Sequence, residues 1–170
     1  MKYVSGLPAL GMPCERQSVG IWNVSKVEFL DNFENHLRDT DDSPFKDYGI
    51  EKNRIVRKRE YCVYNVADHV RVYLDYLYEC KFEELRGLFH FAIKDLKCRS
   101  DIFMMTFYRL KELPIWDSVN MFMTEEFGNA WESYISSIYG VSEHIAKQQT
   151  SMEQLKIAQL KAEKGEPLGI

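Results

Sequence analysis

The sequence has no run of about 18 apolar residues, the length a membrane-spanning helix needs. Met1–Gly6 carries one side-chain charge and too short an apolar run for a secretory signal, so the cytoplasm is the expected compartment. Cys14, Cys62, Cys80 and Cys98 stand far apart with no C-x-x-C pair, which excludes the zinc-ribbon and thioredoxin patterns. Thiols so placed are expected to stay reduced in a reducing compartment. Charge of one sign is lacking too. The 22 Lys and Arg face 26 Asp and Glu, a net −4 split about −3 and −1 between the halves, which disfavours bulk attraction to a phosphate backbone.

Catalytic signatures are equally scarce. The nucleophile patterns G-x-S-x-G and C-G-S/A-C are missing, as are the phosphate-cradling loops G-x-G-x-x-G and G-x-x-x-x-G-K-S/T. His36, His69, His90 and His144 repeat no metal-helix spacing, and Asp68 and His69, adjacent in sequence, point different ways on a helix. His69 reads as a partly buried structural histidine. Asp39, Asp41, Asp42, Asp47 and Glu51 lack the ligand order of a calcium loop and read as a solvated segment. Cys14 lies in a Pro-containing loop with Arg16 close by, a setting that can lower a thiol pKa; an ordinary thiol is the plainer reading. No metal, cofactor or catalytic residue is expected.

What is present is a globular composition: 45% hydrophobic and 28% charged over 170 residues, enough for one self-sufficient core. Residues 1–24 hold Gly6, Pro8, Gly11, Pro13 and Gly20 and read as extended or looped. Ser25 and Glu28 have the form of a capping box for a helix through Val27, Leu30, Phe33 and Leu37, ending near Arg38. Asp39–Pro44 breaks it. Tyr61–Tyr64 is β-prone and allows a small strand or edge hairpin. Asn65 reads as the N-cap of a helix through Glu79, with Val66, Val70, Tyr73, Leu74 and Leu77 at helical spacing.

Further helices are expected over Phe82–Leu88, over Ile102–Glu112 capped by Ser100 and Asp101, from Trp116–Asp117 to Gly128, and through Ala130–Ile138 up to Gly140. Ser142 to Lys164 contains no Gly or Pro and is rich in helix formers, so a long C-terminal helix follows. The predicted fold is mainly α: a single helical domain over 1–140 with a small extended or β N-terminal portion, and a C-terminal helical extension over 141–170.

Two surfaces stand out for binding. The C-terminal helix has too few apolar residues to anchor itself, and Ile145, Met152, Leu155 and Ile157 are candidate partner-binding residues. The run Lys52, Arg54, Arg57, Lys58 and Arg59, followed by Tyr61 and Tyr64, combines cations with aromatics as a nucleic-acid surface does, although Glu51 and Glu60 dilute it.

Three stretches taken together carry a resemblance: Ser5-Gly6-Leu7-Pro8-Ala9-Leu10 leading to Pro13-Cys14 and Trp22; Asp47-Tyr48-Gly49-Ile50-Glu51; and Tyr64-Asn65-Val66-Ala67-Asp68-His69-Val70-Arg71. Over about residues 3–135 the chain resembles a poorly characterised family of small bacterial proteins encoded in variable loci beside toxin–antitoxin-like genes, some with ADP-ribosyltransferase-like products. The family tends to have Gly-Asp-Trp-His where this chain has Gly20-Ile21-Trp22-Asn23, so a reaction resting on that Asp and His has no counterpart here. The resemblance implies a bacterial or phage conflict locus and supplies no mechanism. The functional expectation is a non-catalytic protein-binding module, antitoxin-like or inhibitor-like. Its partner would be another protein, such as a toxin or defence component, or a second copy of itself. Nucleic acid is the alternative partner, the N-terminal Gly/Pro-rich loop with the basic run is the alternative enzymatic or nucleic-acid site, and no membrane partner is expected.

Overall fold

A computed structural model describes residues 1–16, 33–57, 61–93 and 96–140. The chain divides into two compact units, Met1–Glu126 and Phe127–Ile170. In the second, residues 129–140 are helical, and the Trp131 and Tyr134 rings stack at 5.8 Å.

The first unit is built on a sheet. Strands β1 (Lys2–Val4), β2 (Leu37–Asp39), β3 (Ile50–Arg57) and β4 (Tyr61–Ala67) lie in the order β2-β1-β4-β3. β1 pairs antiparallel with β2 and parallel with β4 at Val4↔Val66, while β3 and β4 form an antiparallel hairpin. Around the sheet run α1 (Leu7–Leu10), α2 (His69–Tyr78), α3 (Phe82–Leu85), α4 (Leu88–Ala92), α5 (Leu96–Leu110) and α6 (Trp116–Phe127).

This mixed sheet overturns the expected mainly α, single helical domain. Strand structure reaches residue 67 and is not confined to a small N-terminal portion. The physical reason is long-range pairing. β1 and β2 are three residues each, too short to show a period, and each exists because the other supplies its hydrogen bonds. The helix expected to run to Arg38 is replaced there by a 3-10 turn at Phe33–His36 and by β2; its first residues, 25–32, lie outside the described set. So does the C-terminal helix over 142–164.

Asn65 is a strand residue, not a helix cap. Its amide accepts from the Asn53 N–H (3.2 Å) and donates to the Lys2 carbonyl (3.0 Å), stitching β4 to its neighbours on both sides. The cap is Asp68, whose carboxylate accepts from the Arg71 N–H at 2.7 Å. Helix α2 then ends with Cys80 in the left-handed region at φ 55°, the Cys80 N–H reaching Leu77 and the Lys81 N–H reaching Tyr76. That is a Schellman closure, made by a residue type that pays for the conformation glycine takes freely. Ser100 and Asp101 lie inside α5, and Gly87 at φ 71° splits the expected Phe82–Leu88 helix.

Residues 69–77 of α2 are all buried, so this helix is the axis of the core. Val70, Leu74 and Leu77 are buried as their spacing predicts; α2 packs against α5, where Ile102 and Leu110 are buried too, and Val119 and Met123 of α6 are also buried. Phe82 stacks on Phe122 at 5.0 Å. A helix enclosed on every side must also bury its polar positions, and those must be paired. Asp75 accepts from Ser5 Oγ (2.6 Å), Tyr3 OH (3.0 Å) and Arg71 Nε (2.8 Å). Arg71 Nη1 donates to the carbonyls of Lys46 (2.6 Å) and Tyr48 (2.9 Å), and Nη2 to Tyr3 OH (2.6 Å).

Candidate functional site

Among the described residues β3 has no strand on its outer side, so its backbone donors and acceptors face outward. The hairpin is irregular near its start. A register shift falls between Glu51 and Arg54, with Asn53 at φ 56° as the extra residue of a bulge. Beyond it Ile55 and Val63 are direct cross-strand partners, and they are 70% and 62% exposed. Their in-register neighbours Arg54 and Tyr64 point to the opposite, half-buried face. A solvent-facing sheet surface ordinarily carries polar side chains. Here it carries two β-branched aliphatics side by side.

The second feature is the loop 12–16, which has neither helix nor strand yet is tied down at every residue. His69 Nε2 lies 2.7 Å from the Met12 carbonyl, and the Pro13 carbonyl accepts from Arg54 Nη1 at 2.9 Å. The Glu15 N–H donates to Glu51 Oε1 at 2.6 Å, and Cys14 is among the groups that raise the His69 imidazole against its burial. Arg16 donates to Asp68 (2.5 Å), to Tyr48 OH (3.1 Å) and to Asp101, with its guanidinium 5.5 Å over the Tyr48 ring. Burial and the Asp101 and Asp68 charges push the Tyr48 hydroxyl up to about 12 against the pull of Arg16. Burial also raises Asp68, against the Arg71 N–H and Arg16.

The loop needs a glycine opposite it. Gly49 has φ 69°, and a Cβ there would lie 2.8 Å from Arg71 Cβ and 2.9 Å from Asp68 Oδ1. This close approach lets the Gly49 carbonyl accept from the Asp68 N–H at 2.8 Å and brings the turn before β3 onto the start of α2. A cavity of about 290 Å³ opens between loop and turn, lined by Glu15, Arg16, Gly49, Glu51, Lys52 and Asp68. A larger one, about 430 Å³, lies by Arg38, Tyr76, Glu79 and Lys81.

The basic run is only partly brought to one place. Lys52 is exposed, whereas Arg54 is committed to an ion pair with Glu51 and to the Pro13 carbonyl. Arg57 closes β3, and Lys58 and Arg59 lie outside the described residues, as do Ile145, Met152, Leu155 and Ile157. Arg16, read as a neighbour of Cys14, is instead engaged by two carboxylates, and the group beside the thiol is His69. His69 is fully buried. Its partners come from a loop more than fifty residues earlier in the chain, which no local spacing rule reaches. Among the described residues no group of His, Cys, Asp or Glu is arranged to hold a metal, and no helix is long and apolar enough to cross a membrane.

No family model, curated protein or solved structure matches the chain.

Proposed function

We propose that this protein is a non-catalytic recognition module that binds another protein through the β3–β4 hairpin and acts by occluding a surface of that partner. The observation that carries the reading is the exposed Ile55–Val63 pair beside an open strand edge. Burying two such side chains contributes about 1.5–3 kcal/mol each at most. Micromolar binding needs about 8 kcal/mol before the costs of association. The pair is therefore an anchor within a larger contact, in which the partner lays an extended segment along β3 and completes its hydrogen bonds. Lys52, exposed on the same strand, favours a segment carrying an acidic residue.

This role is the antitoxin-like or inhibitor-like one that the resemblance to conflict-locus proteins implies, in the bacterial cytoplasm, where the cysteines would stay reduced. Ile145, Met152, Leu155 and Ile157 are the second set of anchors we assign, on sequence grounds. The nucleic-acid reading is the weaker one, because Arg54 is already neutralised within the fold.

The test is affinity copurification of the tagged full chain from its native cells, followed by mass spectrometry, with Ile55→Asp and Val63→Asp in parallel. Both side chains are in solvent, so the variants should keep thermal stability to within about 0.5 kcal/mol. Partner recovery should fall about tenfold or more. Folded variants that retain the partner in full would overturn the hairpin as the binding surface. Loss of the partner only on truncation at Gly140 would move the interface to the C-terminal segment.

A further inference from the structure

We propose that the cavity of about 430 Å³ beside Arg38, Tyr76 and Lys81 binds a small organic acid, a monocarboxylate with a short apolar tail. None of its lining residues belongs to the β3–β4 hairpin, so the site does not rest on the reading given above. Its volume falls in the range of small-molecule sites, about 300–1,000 Å³. Four parts of the chain build it: α1, the turn and strand 33–39, the end of α2, and residues 81–84 after that helix. The backbone lets polar groups converge there. A Cβ on Gly6, where φ is 70°, would lie 3.1 Å from Tyr76 OH and 3.3 Å from His36 Nδ1, so both atoms close on one point that glycine leaves open. Leu7 and Leu37 line the same cavity, 37% and 36% exposed, and offer a short tail an apolar wall.

The charges select an anion. Arg38 donates to Glu79 through Nε (2.5 Å) and Nη2 (2.8 Å), and Lys81 Nζ meets the same carboxylate at 2.7 Å, so two cations share one counter-charge. Both also lie over the Tyr76 ring, 5.8 Å from its centroid. Arg38 Nη1 is buried without a hydrogen-bond partner, and Asp75 Oδ2, 3.9 Å from it, belongs to a carboxylate already balanced by Arg71. Buried N–H groups are rarely left so. Glu84 is exposed, and water and salt screen its charge. Burial, then the charges of Arg38 and Lys81, hold the His36 imidazole below its ordinary value, so the neutral ring stands in a positive field. One surplus positive charge matches one carboxylate. A phosphate dianion would exceed it and meet repulsion from Glu79 and Glu84. The carboxylate sits against Lys81 and the Arg38 guanidinium, its tail on Leu7 and Leu37.

The experiment titrates hexanoate into the full chain at neutral pH and about 0.15 M salt, and follows the His36 and Tyr76 ring signals by NMR. Both should shift and saturate, with the midpoint at about 10 mM or below, an ordinary affinity for so few atoms. Hexanamide keeps the tail without the charge and should bind about tenfold more weakly, as should inorganic phosphate. No saturable shift at these rings up to about 50 mM hexanoate would overturn the site. Equal binding of hexanamide or of phosphate would overturn the carboxylate as its ligand. Lys81→Gln, at a side chain 48% exposed, should leave the fold intact and weaken hexanoate about threefold. Arg38→Gln should weaken it about tenfold or more. Unchanged affinity in the folded variants would overturn the two cations as the seat of the carboxylate. Should Arg38→Gln fail to fold, Lys81→Gln and the hexanamide comparison decide.

Discussion

Arg71 and Asp75 stand one turn apart on α2 and meet at 2.8 Å, with side chains 0% and 3% exposed. Every oxygen and nearly every N–H of the pair is used, by Tyr3, Ser5 and the carbonyls of Lys46 and Tyr48. Asp75→Ala would leave the guanidinium uncompensated in the core and should destabilise by about 3–5 kcal/mol. Urea unfolding followed by circular dichroism measures it. A shift under about 1 kcal/mol would mean that water enters the site.

Leu74, fully buried at the middle of α2, has no polar role. Leu74→Ala should cost about 2–5 kcal/mol as a cavity. The slope of the urea transition should stay the same while its midpoint falls.

Gly49→Ala tests the contact between the turn before β3 and the cap of α2. The added methyl must displace either the Arg71 stem or the Asp68 carboxylate, and the backbone must hold a positive φ with a side chain. A loss of about 1–3 kcal/mol is expected. If stability is unchanged, the approach is looser than these distances.

Glu79 sets an acid-side dependence. Partial burial works to raise its pKa, but the hydrogen bonds from Arg38 (2.5 and 2.8 Å) and Lys81 (2.7 Å) outweigh that and hold it below the ordinary 4.5. A depressed carboxylate contributes stability that is present above its unfolded pKa and lost as pH falls through the folded one. Stability should therefore decline on acidification below about pH 4.5, and Glu79→Gln should flatten that part of the curve. An identical pH profile in the variant would show that other carboxylates set it.

The apolar ridge of α2 was legible because Val70, Leu74 and Leu77 repeat at helical spacing. Its start was misread for a definite reason. Asn65 and Asp68 are equally good caps by residue type, and what decides between them is the strand pairing of residues 61–67, which depends on Lys2–Val4 and Ile50–Arg57. The polar core was invisible in the same way. Arg71 and Asp75 look like a surface i, i+4 pair until Tyr3 and Ser5, about seventy residues away, are brought over them. The hairpin was readable as a strand near Tyr61, but the charges of β3 hid its length, since Lys, Asn and Arg are poor strand formers judged alone. Which aliphatics face outward depends on register, and register comes from the bulge at Asn53.

The parallel pairing of Val4 with Val66 has a consequence for how the chain is made. β1 is synthesised about sixty residues before its partner in β4. At about 5–20 residues per second that is a wait of about 3–12 seconds. During it the edge of β1 that will face β4 is bare, and Tyr3 and Ser5 have no Asp75 to close on. The hairpin and α2 are contiguous in the chain and can form without β1. Anything that holds back β1 would leave the β4 edge of the sheet open to other chains.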